Sequence, residues 1–137
     1  CLKEKRFENR LEGNTWAIKK LSIDGSDIVN QNTNPRVTLH FNDCDNKEEN
    51  CTGIWMRGDN RAVFYWKFDR NGKEFQLSNA TQLETGTFLY ANIKECYQCS
   101  GNYKVVSYDR KTNEFTFESS EAVGYPGKKV KMVLQKI

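Results

Sequence analysis

Several features that mark special classes of protein are scarce in this 137-residue sequence. It has 2 prolines and 9 glycines, too few for a linker or a low-complexity chain. No apolar run approaches the ~18 residues that span a membrane. Neither sign of charge dominates, since the chain has 21 Lys and Arg residues and 18 Asp and Glu residues. This balance argues against a nucleic-acid-binding protein. The length, with 37% hydrophobic residues, fits a single core.

Residues that could support catalysis are also scarce. The single histidine, His40, lies on the polar side of an alternating segment, and a catalytic triad could be built only around it. Acidic residues gather in one loop instead of facing each other across a cleft as a glycosidase needs, and they lack the spacing of an EF-hand. We therefore predict a non-catalytic protein without a metal or a dissociable cofactor. The acids of that loop are Asp43, Asp45, Glu48 and Glu49.

Alternation of apolar and polar residues runs through most of the chain and predicts β-strands. The clearest inward stripe is Ala62, Phe64, Trp66 and Phe68, and Asn71-Gly72 is typical of a hairpin turn. We predict an all-β fold, an antiparallel up-and-down meander of about 8–9 strands closed into a barrel, with a two-sheet sandwich as the alternative. The predicted strands are Trp16–Ile23, Val37–Asn42, Thr52–Arg57, Ala62–Asp69, Glu74–Ser78, Thr87–Ile93, Tyr103–Tyr108, Glu114–Glu118 and Lys128–Lys136.

Two long connections, Gly25–Asn34 and Asn79–Gly86, are expected at the barrel ends, where binding loops usually lie. An eight-stranded barrel either holds one small ligand or is filled by its own side chains, and the many inward aromatic residues favour a filled interior. Aromatic residues assigned to the surface would offer material for docking a partner. These are Trp55, Tyr65, Tyr97, Tyr103 and Tyr125.

Four cysteines besides Cys1 predict two disulfides, for which three connectivities are possible. Pairing between sequence neighbours is the simplest of the three, so we expect Cys44 to bond Cys51 and Cys96 to bond Cys99. A redox Cys-x-x-Cys site and a four-cysteine zinc site are the alternatives.

The sequence starts at Cys1, and in this respect it resembles a mature bacterial lipoprotein cut by signal peptidase II. That resemblance implies a diacylglycerol on the thiol of Cys1 and a further acyl chain on its amine, enough for stable anchoring. An arbitrary chain boundary is the alternative. We interpret residues 1–12 as a lipidated N-terminal tether and residues 13–137 as the barrel domain. The expected location is the outer membrane, more on its periplasmic side than at the cell surface.

The segment from Leu11 to Ile18, Leu-Glu-Gly-Asn-Thr-Trp-Ala-Ile, is similar to the start of lipocalin-like domains. Asp24-Gly25 after the first strand and a last strand ending in Met132–Lys136 extend this resemblance to a lipocalin-like bacterial lipoprotein. It implies that Trp16 closes one end of the barrel beneath a basic side chain, here Lys131 or Lys136.

These observations together predict an accessory or structural subunit of a larger outer-membrane complex. Its partners would be the membrane, through the N-terminal lipid, and an integral outer-membrane protein. The alternatives are a carrier of a small apolar ligand in the barrel interior, and an inhibitor or chaperone-like domain acting on a soluble periplasmic client.

Overall fold

The computed structural model describes residues 2–44, 51–79 and 93–137. Within these residues the chain forms two short helices and an antiparallel sheet. The elements are α1 (Leu2–Leu11), β1 (Asn14–Ile23), β2 (Ser26–Asn30), β3 (Val37–Phe41), β4 (Cys51–Arg57), β5 (Asn60–Asp69), β6 (Glu74–Asn79), α2 (Lys94–Gln98), β7 (Gly101–Asp109), β8 (Glu114–Ser119) and β9 (Val130–Lys136). Neither described helix is long and apolar enough to cross a membrane.

The sheet closes on itself into a barrel. Strands β3 to β9 pair in sequence order, and β1 pairs with β3 on one side and with β9 on the other. The β1–β9 ladder runs from the pair Trp16 and Lys136 to the pair Ile23 and Val130. The remaining strand, β2, pairs with the second half of β1. The predicted closed antiparallel barrel is therefore confirmed, and the sandwich alternative is wrong.

Two elements differ from the prediction. Ser26–Asn30 forms the strand β2 where a long connection was expected, because the hairpin turn at Asp24-Gly25 returns the chain along β1. Helix α2 follows Ile93, the last residue of the predicted strand Thr87–Ile93. The rest of that strand, and residues 80–86 of the connection before it, lie outside the described residues.

Aromatic rings fill the interior of the barrel. Phe64, Trp66 and the other members of the predicted inward stripe are buried. The rings of Phe75 and Phe117 stack at 4.4 Å between centroids, and those of Phe115 and Phe117 lie 5.5 Å apart. Rings in mutual contact occupy the space that a ligand would need, which agrees with the expected filled core.

Helix α1 packs against one end of the barrel. The Phe7 ring lies 5.5 Å from that of Phe68, 5.2 Å from Phe115 and 6.0 Å from Tyr108. Leu11, the last residue of α1, is fully buried. Residues 2–11 of the segment interpreted as a tether therefore form a helix that contributes to the core.

Helix α2 covers the opposite end. Strand β7 begins beside α2 and ends near Phe7, so the two helices lie at the two ends of the same strand. The hydroxyl of Tyr103 donates to the carbonyl of Cys99 at 2.5 Å, which ties α2 to β7. Tyr103 and Trp55 are buried, so assigning these two rings to the surface was wrong: they pack beneath α2.

Candidate functional site

The carboxylate of Glu95 connects helix α2 to strand β4. Trp55 Nε1 donates to one of its oxygens at 3.2 Å, and Arg57 Nη1 donates to the other at 3.1 Å. Trp55 is fully buried, while the Glu95 side chain is 12% exposed and that of Arg57 is 36% exposed. Charge-assisted hydrogen bonds of this kind are stronger than neutral ones, so they fix the carboxylate at the rim of the barrel.

A pocket of ≈ 410 Å³ opens beside this ion pair. It is bounded by β2, by the turn between β4 and β5, by α2 and by the segment before β9. Inside it the Tyr125 hydroxyl donates to Oε1 of Gln98 at 3.4 Å. The lining residues are Ile28, Arg57, Asn60, Ile93, Glu95, Gln98 and Tyr125.

Exposed apolar residues lie on the elements that bound the pocket, although only Ile28 among them lines it. Ile28, Tyr97 and Val123 are 41%, 37% and 50% exposed, respectively. Val123 N donates to the carbonyl of Ser100 at 2.8 Å, which places Val123 beside α2. Apolar and tyrosine side chains next to an arginine have the composition of a protein-binding surface. We call this region, centred on Ile28, Tyr97, Val123 and the Arg57–Glu95 pair, the α2 face.

The cysteines divide between the two ends of the barrel. Cys44 and Cys51 form the predicted disulfide, with their Cα atoms 5.0 Å apart. Cys96 and Cys99 are free and buried, so the predicted bond between them is wrong. The hydrogen bond from Cys99 N to the carbonyl of Glu95 (2.9 Å) keeps this segment helical, and both thiols pack into the apolar core.

The environment of the two free thiols, those of Cys96 and Cys99, disfavours their ionisation to thiolates. Burial raises the pKa of Cys99 to about 12, and the negative charge of Glu95 adds to the shift. Burial also raises the pKa of Cys96, with further contributions from Cys99 and Glu95. Since the thiolate is the reactive form of cysteine, this environment disfavours the reactive form of both residues near neutral pH. A zinc site built from all four cysteines is excluded because Cys44 and Cys51 are bonded to each other.

Trp16 is buried at the α1 end of the barrel, where its ring lies 5.6 Å from that of Phe115. Among the described residues, the cation–π contacts are Lys3 over Phe7 and Arg10 over Tyr108. Neither Lys131 nor Lys136 covers Trp16 in that manner. Lys136 instead lies opposite Trp16 in the β1–β9 ladder.

The remaining candidate residues do not form a reactive group. His40 is half-buried, and its Nδ1 forms a hydrogen bond with the Thr15 hydroxyl at 2.9 Å, between neighbouring strands. Asp43 is described, whereas Asp45, Glu48 and Glu49 lie outside the described residues. Within residues 2–44, 51–79 and 93–137, no three His, Cys, Asp or Glu side chains are grouped to hold a metal ion.

No protein-family model, curated protein or solved structure matches this chain. Membership of a lipocalin-like family, inferred from the segment around Trp16, therefore stays a prediction. The acyl anchor also stays a prediction, and Cys1 lies outside the described residues.

Proposed function

We propose that the protein is a non-catalytic interaction domain, an accessory subunit of a larger outer-membrane assembly, and that it binds a protein partner through the α2 face. The supporting observation is that exposed apolar residues lie on the same elements that bound a pocket with a fixed ion pair. The α2 face carries three large apolar residues that are exposed, namely Ile28, Tyr97 and Val123. Interfaces of moderate polarity combine such anchors with an arginine.

The packed interior supports a surface role over the carrier alternative. The rings of Phe68, Phe75 and Phe117 lie within 6.3 Å of one another, centroid to centroid. A small apolar ligand would have to displace such rings, and displacing packed aromatic side chains is costly. Uptake of a hydrophobic fluorescent probe tests the carrier alternative, since saturable binding at one probe per protein would favour it.

The positions of the helices also fit a membrane-anchored subunit. Helix α1 begins at residue 2, and Lys3 and Glu4 lie close to the β5–β6 turn at Gly72 and Asn71. An acyl chain on Cys1 would therefore lie at the α1 end, and the α2 face would point away from the bilayer. The partner region that we propose is accordingly a water-exposed part of an integral outer-membrane protein.

Capture from detergent-solubilised native membranes tests the proposal. We expect the tagged wild-type protein to co-purify with an integral outer-membrane protein, and Val123→Asp to abolish this capture. Val106→Asp is the matched control, because Val106 is also an exposed valine (48%) but lies in the middle of β7. Equal capture by both variants, or recovery of the wild type as a lone monomer, would contradict the proposal.

The anchor has a separate test. Mass spectrometry of the N-terminal peptide from native cells should find the acyl additions on Cys1. A bare thiol there would remove the membrane anchor from the proposal, and the docking role of the α2 face would then be tested with soluble partners.

A further inference from the structure

An unpaired hydrogen-bond donor lies at the α1 end of the barrel, away from the α2 face. Trp16 is 1% exposed, and its Nε1 has no hydrogen-bond partner among residues 2–44, 51–79 and 93–137. The other two indole N–H groups are paired: Trp55 donates to Glu95, and Trp66 donates to the carbonyl of Thr52 at 2.8 Å. Buried polar groups are nearly always paired. The Trp16 N–H therefore points to an acceptor that the described residues do not provide.

A small pocket reaches this side chain. Its volume is ≈ 130 Å³, and since a water molecule occupies about 30 Å³ in the liquid, it has room for a group of about four waters. Its lining, as far as the described residues form it, contains two cations and several amides but no carboxylate. The lining residues are Asn9, Arg10, Asn14, Trp16, Tyr108, Asn113 and Lys136.

The two cations of this pocket, Arg10 and Lys136, have no acidic partner in the part of the chain that the structure describes. Among the described residues, the ion pairs involve neither Arg10 nor Lys136. The Arg10 guanidinium lies 5.5 Å from the centroid of the Tyr108 ring, so the aromatic face helps to position it. Lys136 lies opposite Trp16 in the β1–β9 ladder, which directs both side chains to the same face of the sheet.

We propose that this pocket binds a small oxyanion, specifically a phosphate group. Arg10 and Lys136 neutralise its charge with charge-assisted hydrogen bonds, and an anion oxygen accepts the hydrogen bond of Trp16 Nε1–H. The phosphate has two possible sources, free inorganic phosphate and a phospholipid headgroup. This inference does not depend on the proposed function of the α2 face, because the two sites lie at opposite ends of the barrel.

Heteronuclear NMR of the indole groups tests the site directly. The chain has 3 tryptophans, so three indole N–H signals are expected. Sodium phosphate is titrated against sodium chloride at constant ionic strength. We expect the Trp16 signal to move saturably while those of Trp55 and Trp66 stay in place, because their acceptors lie within the chain.

Variants make the test specific. Arg10→Gln and Lys136→Gln should each weaken phosphate binding by about tenfold, since each removes one charge-assisted hydrogen bond. Lys131→Gln is the control, because Lys131 is a lysine of the same strand that does not line the pocket. Thermal unfolding of each variant verifies that it is folded.

A second titration, with dihexanoyl phosphatidic acid below its micellar concentration, distinguishes the sources. A response to inorganic phosphate supports the free anion, and a response to the lipid alone supports a headgroup. The proposal is overturned if neither compound produces a saturable shift of the Trp16 signal. It is equally overturned if both pocket variants bind as the wild type does, or if Lys131→Gln weakens binding as much as they do.

Discussion

Gly53 lies directly opposite Phe64 in the β4–β5 ladder, and a Cβ atom at position 53 would stand 2.4 Å from Cζ of the Phe64 ring. The same atom would lie 2.8 Å from the backbone carbonyl oxygen of His40. The absence of a side chain at this inward position is therefore what allows the Phe64 ring to lie across β4.

Replacement of Gly53 by alanine should destabilise the barrel. Overpacking of a filled core costs about 1–3 kcal/mol, and urea unfolding of Gly53→Ala should show a loss in this range. The double variant Gly53→Ala/Phe64→Leu provides the control. Because the smaller side chain relieves the clash with the ring, though not the one with the His40 carbonyl, the double variant should lose less than the sum of the two single losses. Strict additivity would contradict this account.

Replacement of Phe7 by alanine should loosen α1 from the barrel. Phe7 makes three aromatic contacts with the barrel, and each such pair contributes about 0.5–1.5 kcal/mol. We expect lower stability in urea and faster proteolytic cleavage within residues 2–11. Arg6→Ala serves as the control, since Arg6 is exposed on the same helix. Unchanged proteolysis of Phe7→Ala would show that the helix is held by other contacts.

Replacement of Glu95 should separate its two roles. Glu95→Ala leaves the buried Trp55 N–H unpaired, at a cost of about 1–3 kcal/mol. Glu95→Gln retains an acceptor for Trp55 and loses only the charge of the partly buried ion pair with Arg57, so it should cost less. Chemical unfolding of the two variants measures the difference. Equal losses would show that the hydrogen bond to Trp55 contributes nothing.

Thiol labelling should distinguish the buried cysteines from ordinary ones. In a Cys1→Ser variant, Cys96 and Cys99 are the free thiols. We expect almost no reaction with a disulfide reagent at pH 8 in the native state, and two reacting thiols after denaturation. An exposed thiol ionises near pH about 8.5, whereas burial raises the pKa of Cys99 to about 12. Rapid native labelling would contradict their burial.

The same groups should make the fold sensitive to alkali. Burial raises the pKa of Tyr103 as well as those of the two thiols. The unfolded chain begins to lose the thiol protons about one pH unit below their ordinary pKa of about 8.5, while the native state keeps them. The contribution of these three groups to the free energy of unfolding should therefore be constant below about pH 7.5 and fall as the pH rises toward about 12. The variant Cys96→Ala/Cys99→Ala should show a shallower fall, although its stability at neutral pH is lower.

Much of the fold could be predicted from the sequence because inward residues alternate along β3, β5 and β8. Strand β2 was missed because Val29 is the one buried residue of its five, so no alternation is visible. Helix α2 has five residues, too few to show helical periodicity. Gly53 interrupts the apolar pattern of β4, which explains why the inward position of Trp55 was not recognised.

The candidate sites could not be read from local patterns. Glu95 and Arg57 are separated by 38 residues, and only the packing of α2 on the barrel end brings them together. Trp16 was recognised as a residue at the barrel end. Whether its N–H finds a hydrogen-bond acceptor, however, depends on the groups that the neighbouring strands and α1 place beside it. No spacing rule links Arg10 to Lys136, because the barrel closure alone places the first helix beside the last strand.

The closure between β1 and β9 also determines when this chain can fold. The ladder joins Trp16 to Lys136, and Ile137 N donates to the carbonyl of Thr15 at 3.1 Å. Such distant pairings form slowly, because a long loop must be ordered first. During synthesis the sheet cannot close until β9 has left the ribosome. Until then two strand edges are unpaired, and the apolar inner face of the sheet is exposed. A premature stop before Val130 would therefore leave an open, aggregation-prone sheet instead of a slightly shorter barrel.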